Sequence, residues 1–271
     1  MVIIGLGKAG CNIASLFKKD KQYEVFSYDS GKNIKTQDSV EDYENNAPKL
    51  NNKILKTNKK IWFIVSGAAK VAGCTLQMLQ QIKDKDINVV YIYPDKLTSS
   101  NASMKRGRVV FNVLQQYARS GLLSSVYLVS NDTMFENFGS GSIMDYYGKI
   151  NDVVYSTINF INYYDNTDPV FGTRAEFKDF SRIRTFGMVD LEKNEENLFF
   201  PLDNITETCY NYSISEREIK ESNQILSLIQ KKQEVLKLNK TITSFRIYTT
   251  NFENNFCHMV AATHFIQQEI I

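Results

Sequence analysis

The sequence has little of what binds metals or cross-links a fold. Its four cysteines, Cys11, Cys74, Cys209 and Cys257, stand alone without CxxC spacing, and its two histidines, His258 and His264, have no Cys or acid at ligand spacing. Neither a metal site nor a disulfide framework is expected, and a reducing compartment is implied. No run of 18 or more apolar residues occurs, so nothing reads as membrane-spanning. Met1 leads directly into the apolar Val2-Ile3-Ile4, and no signal peptide is expected. A charge excess is missing too. The 32 basic and 30 acidic residues leave a net +2, which gives no electrostatic case for a nucleic-acid or membrane partner. The expected setting is the cytoplasm, of a bacterial cell or of a host cell if the gene is viral, since abundant Asn and Lys suit an AT-rich genome of either kind.

At 271 residues the chain can bury a full core, as one large domain or two small ones. Val2-Ile3-Ile4 feeds Gly5-Leu6-Gly7-Lys8-Ala9-Gly10, after which Ile13, Leu16 and Phe17 suggest a helix. Glycines there let the backbone approach a phosphate, and the helix N-terminus supplies amide donors and a positive dipole end. The same residues form a G-x-G-x-x-G. A second strand, Tyr23 to Tyr28, ends at Asp29, placed for a ribose hydroxyl as in a dinucleotide fold. An NAD-dependent oxidoreductase is therefore a rival reading, although no catalytic constellation can be named for it. Residues 31–60 are polar and read as loop with one short helix. Ile61-Trp62-Phe63-Ile64-Val65 is a continuous apolar run, as in a strand covered on both faces. Gly67 to Gly73 form a loop before a helix through Leu76, Leu79 and Ile82. Asn88 to Tyr93 is a further strand, and Met104 to Arg119 a helix.

The stretch from Val126 to Ile161 is the most informative. An apolar strand, Val126 to Val129, breaks at Ser130-Asn131-Asp132 and crosses a Gly139-Ser140-Gly141 hinge. Ser142 to Asp145 reads as a capping box. Tyr147, Ile150, Val154, Ile158 and Ile161 then recur at helical spacing. Asn151 and Asp152 lie beside that stripe. A carboxylate next to a carboxamide can accept from guanine's ring N–H and amino group, and an aromatic ring one turn earlier can stack on the base.

The order NDTMFENFGSGSIMDYYGKINDVV resembles the FtsZ/tubulin family, in which an ND pair, a Gly-x-Gly hinge and a helix beginning D-x-F-G-x-x-N-D follow one another. The resemblance implies that Asn131, Tyr147 and Asp152 hold the guanine of GTP or GDP, with Asn151 beside them. Mg²⁺ would be present only with bound GTP. It also implies that Gly5, Gly7, Lys8, Gly10, Cys11 and Asn12 form the first phosphate loop, for Asn12 fits the family's G-x-G-G-G-G-N and dinucleotide sites do not call for it. The loop from Gly67 to Gly73 occupies the place of the family's G-G-G-T-G-[ST]-G, with Ala69, Lys70 and Val71 at glycine positions. Each added Cβ holds phosphate oxygens away from the backbone, and Lys70 or Lys8 offers a point charge instead. No loop sensing the terminal phosphate is recognisable between Gly31 and Lys60. No Glu matches the family's ribose contact, and Arg106 or Arg108 is the nearest basic candidate.

Residues 176–185 are similar to the family's catalytic loop, N-x-D-F-x-D-V-[KR]-T. Asp179 matches the first acid, Phe177 stands where Asn is expected, and Arg182 where the second acid is. Thr206 to Ile214, Ile242 to Thr249 and Phe256 to Thr263 read as strands, and Ser215 to Glu218 as a capping box before a helix through Ile219, Ile225 and Leu228.

The expected architecture is α/β. A doubly wound parallel-sheet nucleotide domain (1–144) is followed by a central helix (145–165) and a smaller mixed α+β domain (166–271). The function implied is that of a divergent, self-associating FtsZ/tubulin-like protein, head to tail in filaments, with weak or absent GTP binding and poor or no hydrolysis. The alternatives are an active GTPase using Asp179 with Glu176, a scaffold that binds neither nucleotide nor itself, and the oxidoreductase.

Overall fold

The structure, a computed structural model, describes residues 1–268 apart from 97, 139–144, 174–175, 222–226, 228, 232–233 and 235–240. It divides into two compact units, Met1–Tyr155 with the residues from Ile266 onward, and Ser156–Phe265. Among the described residues no helix is long and apolar enough to cross a membrane.

The first unit is built on five parallel strands: β1 (Val2–Leu6), β2 (Glu24–Tyr28), β3 (Ile61–Ser66), β4 (Ile87–Tyr93) and β5 (Ser125–Ser130). They lie in the order β2-β1-β3-β4-β5. Every residue of β4 is buried, so both faces of the sheet are covered, and the unbroken apolar runs in the sequence follow from that. From β1 the chain steps outward to β2 and then returns past β1 to β3. A crevice therefore opens between β1 and β3 at their carboxyl ends, the place where open α/β sheets bind ligands.

Helices α1 (Gly7–Leu16), α2 (Val40–Asn45), α3 (Asn52–Leu55), α4 (Thr75–Gln80), α5 (Asn101–Arg119), α6 (Asn131–Phe138) and α7 (Tyr146–Asp165) connect the strands and follow the last. Two departures from the sequence reading have local causes. Residues 31–60 hold two short helices rather than one, capped by Ser39, which accepts from Asp42 N, and Asn51, which accepts from Lys53 N. Asn131–Phe138 is helical where a break was expected, because Ser130 Oγ accepts from Thr133 N at 3.3 Å and Asp132 favours a helix start. The glycine hinge and most of the expected capping box before α7 lie outside the described residues.

At Gly10, helix α1 meets the sheet backbone to backbone. A Cβ on Gly10 would overlap the Ile64 carbonyl, and one on Gly5, a residue of β1 rather than of the turn, would meet the Gly10 carbonyl. Gly7 begins the helix at φ +72°, a conformation glycine adopts without strain.

In the second unit the last turns of α7 bury Ile158, Ile161 and Tyr164. The strands are β6 (Phe171–Gly172), β7 (Ile183–Asp190), β8 (Glu195–Leu198), β9 (Glu207–Ser215), β10 (Ile242–Thr250) and β11 (Phe256–Thr263). They run in the order β6-β10-β9-β11-β7-β8, with β9 and β10 parallel and the other pairs antiparallel. After β9, helix α8 (Glu216–Glu221) starts where Ser215 Oγ accepts from Glu218 N at 3.3 Å. Ile225 and Leu228 lie outside the described residues. His258 is buried between Phe160, stacked at 4.8 Å, and Tyr164, whose Oη is 3.2 Å from Nδ1. Burial pulls its pKa from 6.5 down to about 4.

Two expectations follow. Gly10→Ala should destabilise the chain by about 2–3 kcal/mol, the usual cost of overpacking, whereas Gly148→Ala should stabilise it by about 0.5–1 kcal/mol. Gly148 is exposed in α7 with open space around its Cα. Urea midpoints for the two variants should move in opposite directions. Between pH 6.5 and 4 the unfolded chain takes up a proton that native His258 refuses. Stability should fall as pH drops through that window, by up to about 3 kcal/mol. The same titration of His258→Phe should be flatter by that amount.

Candidate functional site

A cavity of ≈ 430 Å³ occupies the β1/β3 crevice, lined by Leu6, Gly7, Lys8, Ala9, Asn12, Ser66, Ala68, Ala69, Tyr147 and Asn151. Its size lies in the range of small-ligand pockets. The N-terminus of α1 forms one side. This helix has no side-chain cap and no acid in its first turn, so the amides of Gly7, Lys8 and Ala9 remain for an anion. Lys8 is exposed beside them. The first turns of α7 form the opposite side, where Tyr147 and Asn151, four residues apart, present a ring and a carboxamide. The arrangement can receive an anionic group at one end and a planar ring at the other.

The candidates named from sequence divide between lining and support. Gly7, Lys8, Asn12, Tyr147 and Asn151 line the cavity. Gly5 and Gly10 lie behind it in the helix–strand contact. Cys11 is buried, with Sγ 3.4 Å from the carbonyl oxygens of Gly5 and Tyr28. Its thiol pKa is raised by burial and by Asp29. Gly67 packs against Tyr91 and Gly73 against Val40. Lys70 Nζ donates to the Asp38 carbonyl at 2.6 Å. Asn131 opens α6, and its carbonyl accepts from Tyr146 Oη at 2.9 Å. Asp152 is exposed, one residue beyond the lining. Asp29 closes a turn instead of facing the cavity, its carboxylate taking the Ser30 amide at 3.0 Å and lying 3.7 Å from Lys32.

Tyr147 departs from the expected apolar stripe. It is 46% exposed, while Ile150, Val154, Ile158 and Ile161 are buried. Its hydroxyl donates to Asp95 Oδ2 at 2.8 Å. Asp95 also accepts from Thr98 N at 2.7 Å and from Thr98 Oγ1. Burial pushes the Asp95 pKa up, but the two Thr98 donors and Tyr147 outweigh it, and the carboxyl titrates below its usual range. Neighbouring Asp132 goes the other way, raised by burial despite the Lys96 amide at 3.3 Å. Sequence reasoning missed Asp95, although Asp-x-x-Thr after a strand is a turn signal. Ala68 and Ala69, in the loop that the resemblance pointed to, line the cavity although they were not named as contacts. The carbonyl of Ala68 takes both Nε (3.2 Å) and Nη2 (2.9 Å) of Arg106.

The loop containing Asp179 belongs to the second unit and is anchored there by Glu207. This buried carboxylate accepts from Lys178 N at 3.2 Å and from Ser181 Oγ. Asp179 and Glu176 are exposed, and Arg182 Nε donates to the Asp179 carbonyl. Phe177 carries the Arg184 guanidinium 4.4 Å above its ring.

No protein-family model matches the chain, and no curated protein does. Solved structures do match. The empty FtsZ dimer of M. jannaschii is 11% identical with a TM-score of 0.72, over 97% of this chain and 87% of that one. The GTPγS-form protofilament of TubZ from Bacillus thuringiensis serovar israelensis is 14% identical at 0.71, over 96% and 85%. The GTPγS-bound protofilament of CetZ2 from Haloferax volcanii is 12% identical at 0.70, over 96% and 92%. The chain has the FtsZ/tubulin fold.

Tyr147→Phe keeps the cavity's ring and removes one donor from Asp95. It should cost about 1 kcal/mol of stability and raise the Asp95 pKa, read by carboxylate NMR titration; an unmoved Asp95 signal would show the bond to be unimportant.

Proposed function

We propose that this chain is an FtsZ/tubulin-like cytoskeletal protein of the cytoplasm. In this reading it self-associates head to tail, holds a guanine nucleotide weakly in the cavity between β1 and β3, and hydrolyses it poorly or not at all. The observation that carries the reading is the convergence of Tyr147 and Asn151 on the same cavity as Gly7, Lys8 and Asn12. These residues come from opposite ends of the first unit's sequence. The phosphates would rest on the α1 amides and Lys8, the base on Tyr147, with Asn151 at its edge and Asp152 alongside.

Self-association is supported by the state of the similar structures, two of which are protofilaments. A head-to-tail contact leaves a free face at each end and so propagates. In such a filament the loop 176–185 of one copy would meet the cavity of the next. Asp179 would then be its acid, and the Arg182 guanidinium would bring a positive charge where water activation needs an acceptor. Poor turnover follows from that sign.

Ultracentrifugation with a phosphate-release assay tests both halves. The chain should pellet in a concentration-dependent way with little phosphate released from GTP. Phe180→Asp, in the exposed loop, should abolish pelleting, and Arg182→Asp should raise phosphate release. A chain that stays monomeric at every concentration overturns the filament reading, and brisk release by the unaltered chain overturns the hydrolysis reading.

A further inference from the structure

Each unit carries a group of touching aromatic rings at its surface. In the first unit the rings lie beside the cavity. Phe135 of α6 is 49% exposed. Its ring meets Tyr146 edge-on at 5.0 Å, and Tyr146 lies 4.7 Å from Tyr147, which lines the cavity. Both tyrosines are pinned by their hydroxyls, Tyr146 on the Asn131 carbonyl and Tyr147 on Asp95. In the second unit Phe180 is 54% exposed in the loop that Glu207 anchors. His264 meets it at a right angle at 5.5 Å, and Phe265, exposed as well, packs on His264 at 4.1 Å.

Apolar side chains exposed singly are ordinary, whereas contiguous exposed apolar surface marks an interaction site, and aromatic residues are enriched in protein interfaces. The charges around the rings point to a second copy of this chain as the occupant. Lys178 Nζ lies 5.6 Å over the Phe180 ring. Helix α6 carries Asp132 and Glu136 beside Phe135 and no basic residue. One patch thus offers rings with a cation and the other rings with acids, a complementary pair for a heterologous contact. Rings already held by their neighbours also lose little freedom on docking.

We infer that Phe180 and Phe265 of one copy pack on Phe135 and the Tyr146–Tyr147 pair of the next, an inference that rests on reading the loop 176–185 as the part that meets the neighbouring cavity. These rings supply the adhesion of the head-to-tail contact. Phe252 serves as a control. It is 59% exposed against Phe256, before β11 and so at the opposite end of that strand from Phe265.

Ultracentrifugation of the full chain over a concentration series in excess GTP tests this. Phe135→Gln and Phe265→Gln should each raise the concentration needed for half-pelleting at least about tenfold, as loss of a central interface ring does, and Phe180→Gln should behave like Phe265→Gln. Phe252→Gln should match the unaltered chain, and the urea midpoints of the four variants should show each to be folded. An equimolar mixture of Phe135→Gln and Phe265→Gln, at a concentration where neither pellets alone and the unaltered chain does, should sediment as a two-copy species, because each supplies the patch the other has lost. Ring variants that pellet like the unaltered chain, or a mixture that stays monomeric, overturn the inference and leave the filament reading standing. If the unaltered chain never pellets, the filament reading falls and takes this inference with it.

Discussion

Helix α1 touches the sheet backbone to backbone, and the geometry of the cavity depends on that contact. With Gly10 against the Ile64 carbonyl and Gly5 against Gly10, the helix axis lies closer to β1 and β3 than any pair of side chains would allow. The first turn then sits directly over the carboxyl ends of those strands. Its unpaired amides face the crevice that the strand order creates. Two of the glycines that read as phosphate contacts thus act one step earlier. They set the position from which Gly7, Lys8 and Ala9 reach the cavity.

Around this fixed edge, the polar groups of the first unit are largely engaged with one another. Arg106 holds the loop after β3 by its Ala68 carbonyl, and Lys70 ties the same loop to the segment before α2. Asp95 gathers Thr98 and the Tyr147 hydroxyl. Each bond leaves one less group for a ligand and one more constraint on a lining residue. A charged group anchored in this way is fixed in position and meets a ligand only along its remaining N–H directions. The cavity is better described as a shaped, weakly charged slot than as a phosphate cage. The tyrosine ring in its lining is held by a carboxylate and a threonine in the turn after β4.

Most of the fold was legible because the central strands are buried on both faces, and burial writes an unbroken apolar run into the sequence. Ile61 to Val65 shows this plainly. Strands β7 and β8 were not foreseen as a hairpin. The turn that joins them rests on Asp190 at the end of β7, which accepts from the Glu192 amide, and on Asn194 in the left-handed region, and periodicity records neither. The cavity's lining was legible where ordering along the chain mattered, as with Tyr147 and Asn151. It was not legible where a side chain had a choice of partners. Lys70 has the composition of a phosphate ligand, and only the fold brings the Asp38 carbonyl within its reach. Cys11 likewise lies in the glycine loop by sequence yet turns inward to backbone carbonyls.

The anchoring of the Asp179 loop bears on what kind of filament the proposed reading describes. Glu207 fixes Lys178 and Ser181 from inside the second unit, so the loop is held in shape without a neighbour to order it. A preformed contact surface loses less entropy on association than a loop that must fold against its partner. If the nucleotide neither gains nor loses a phosphate in the assembled state, no chemical step distinguishes young contacts from old ones. Growth and shrinkage are then governed by subunit concentration and by the quality of that preformed surface. On that view, the guanidinium of Arg182 belongs with the rigidity of the loop. It donates to the Asp179 carbonyl and keeps the backbone in place, a structural use of the position where a water-polarising acid would otherwise stand.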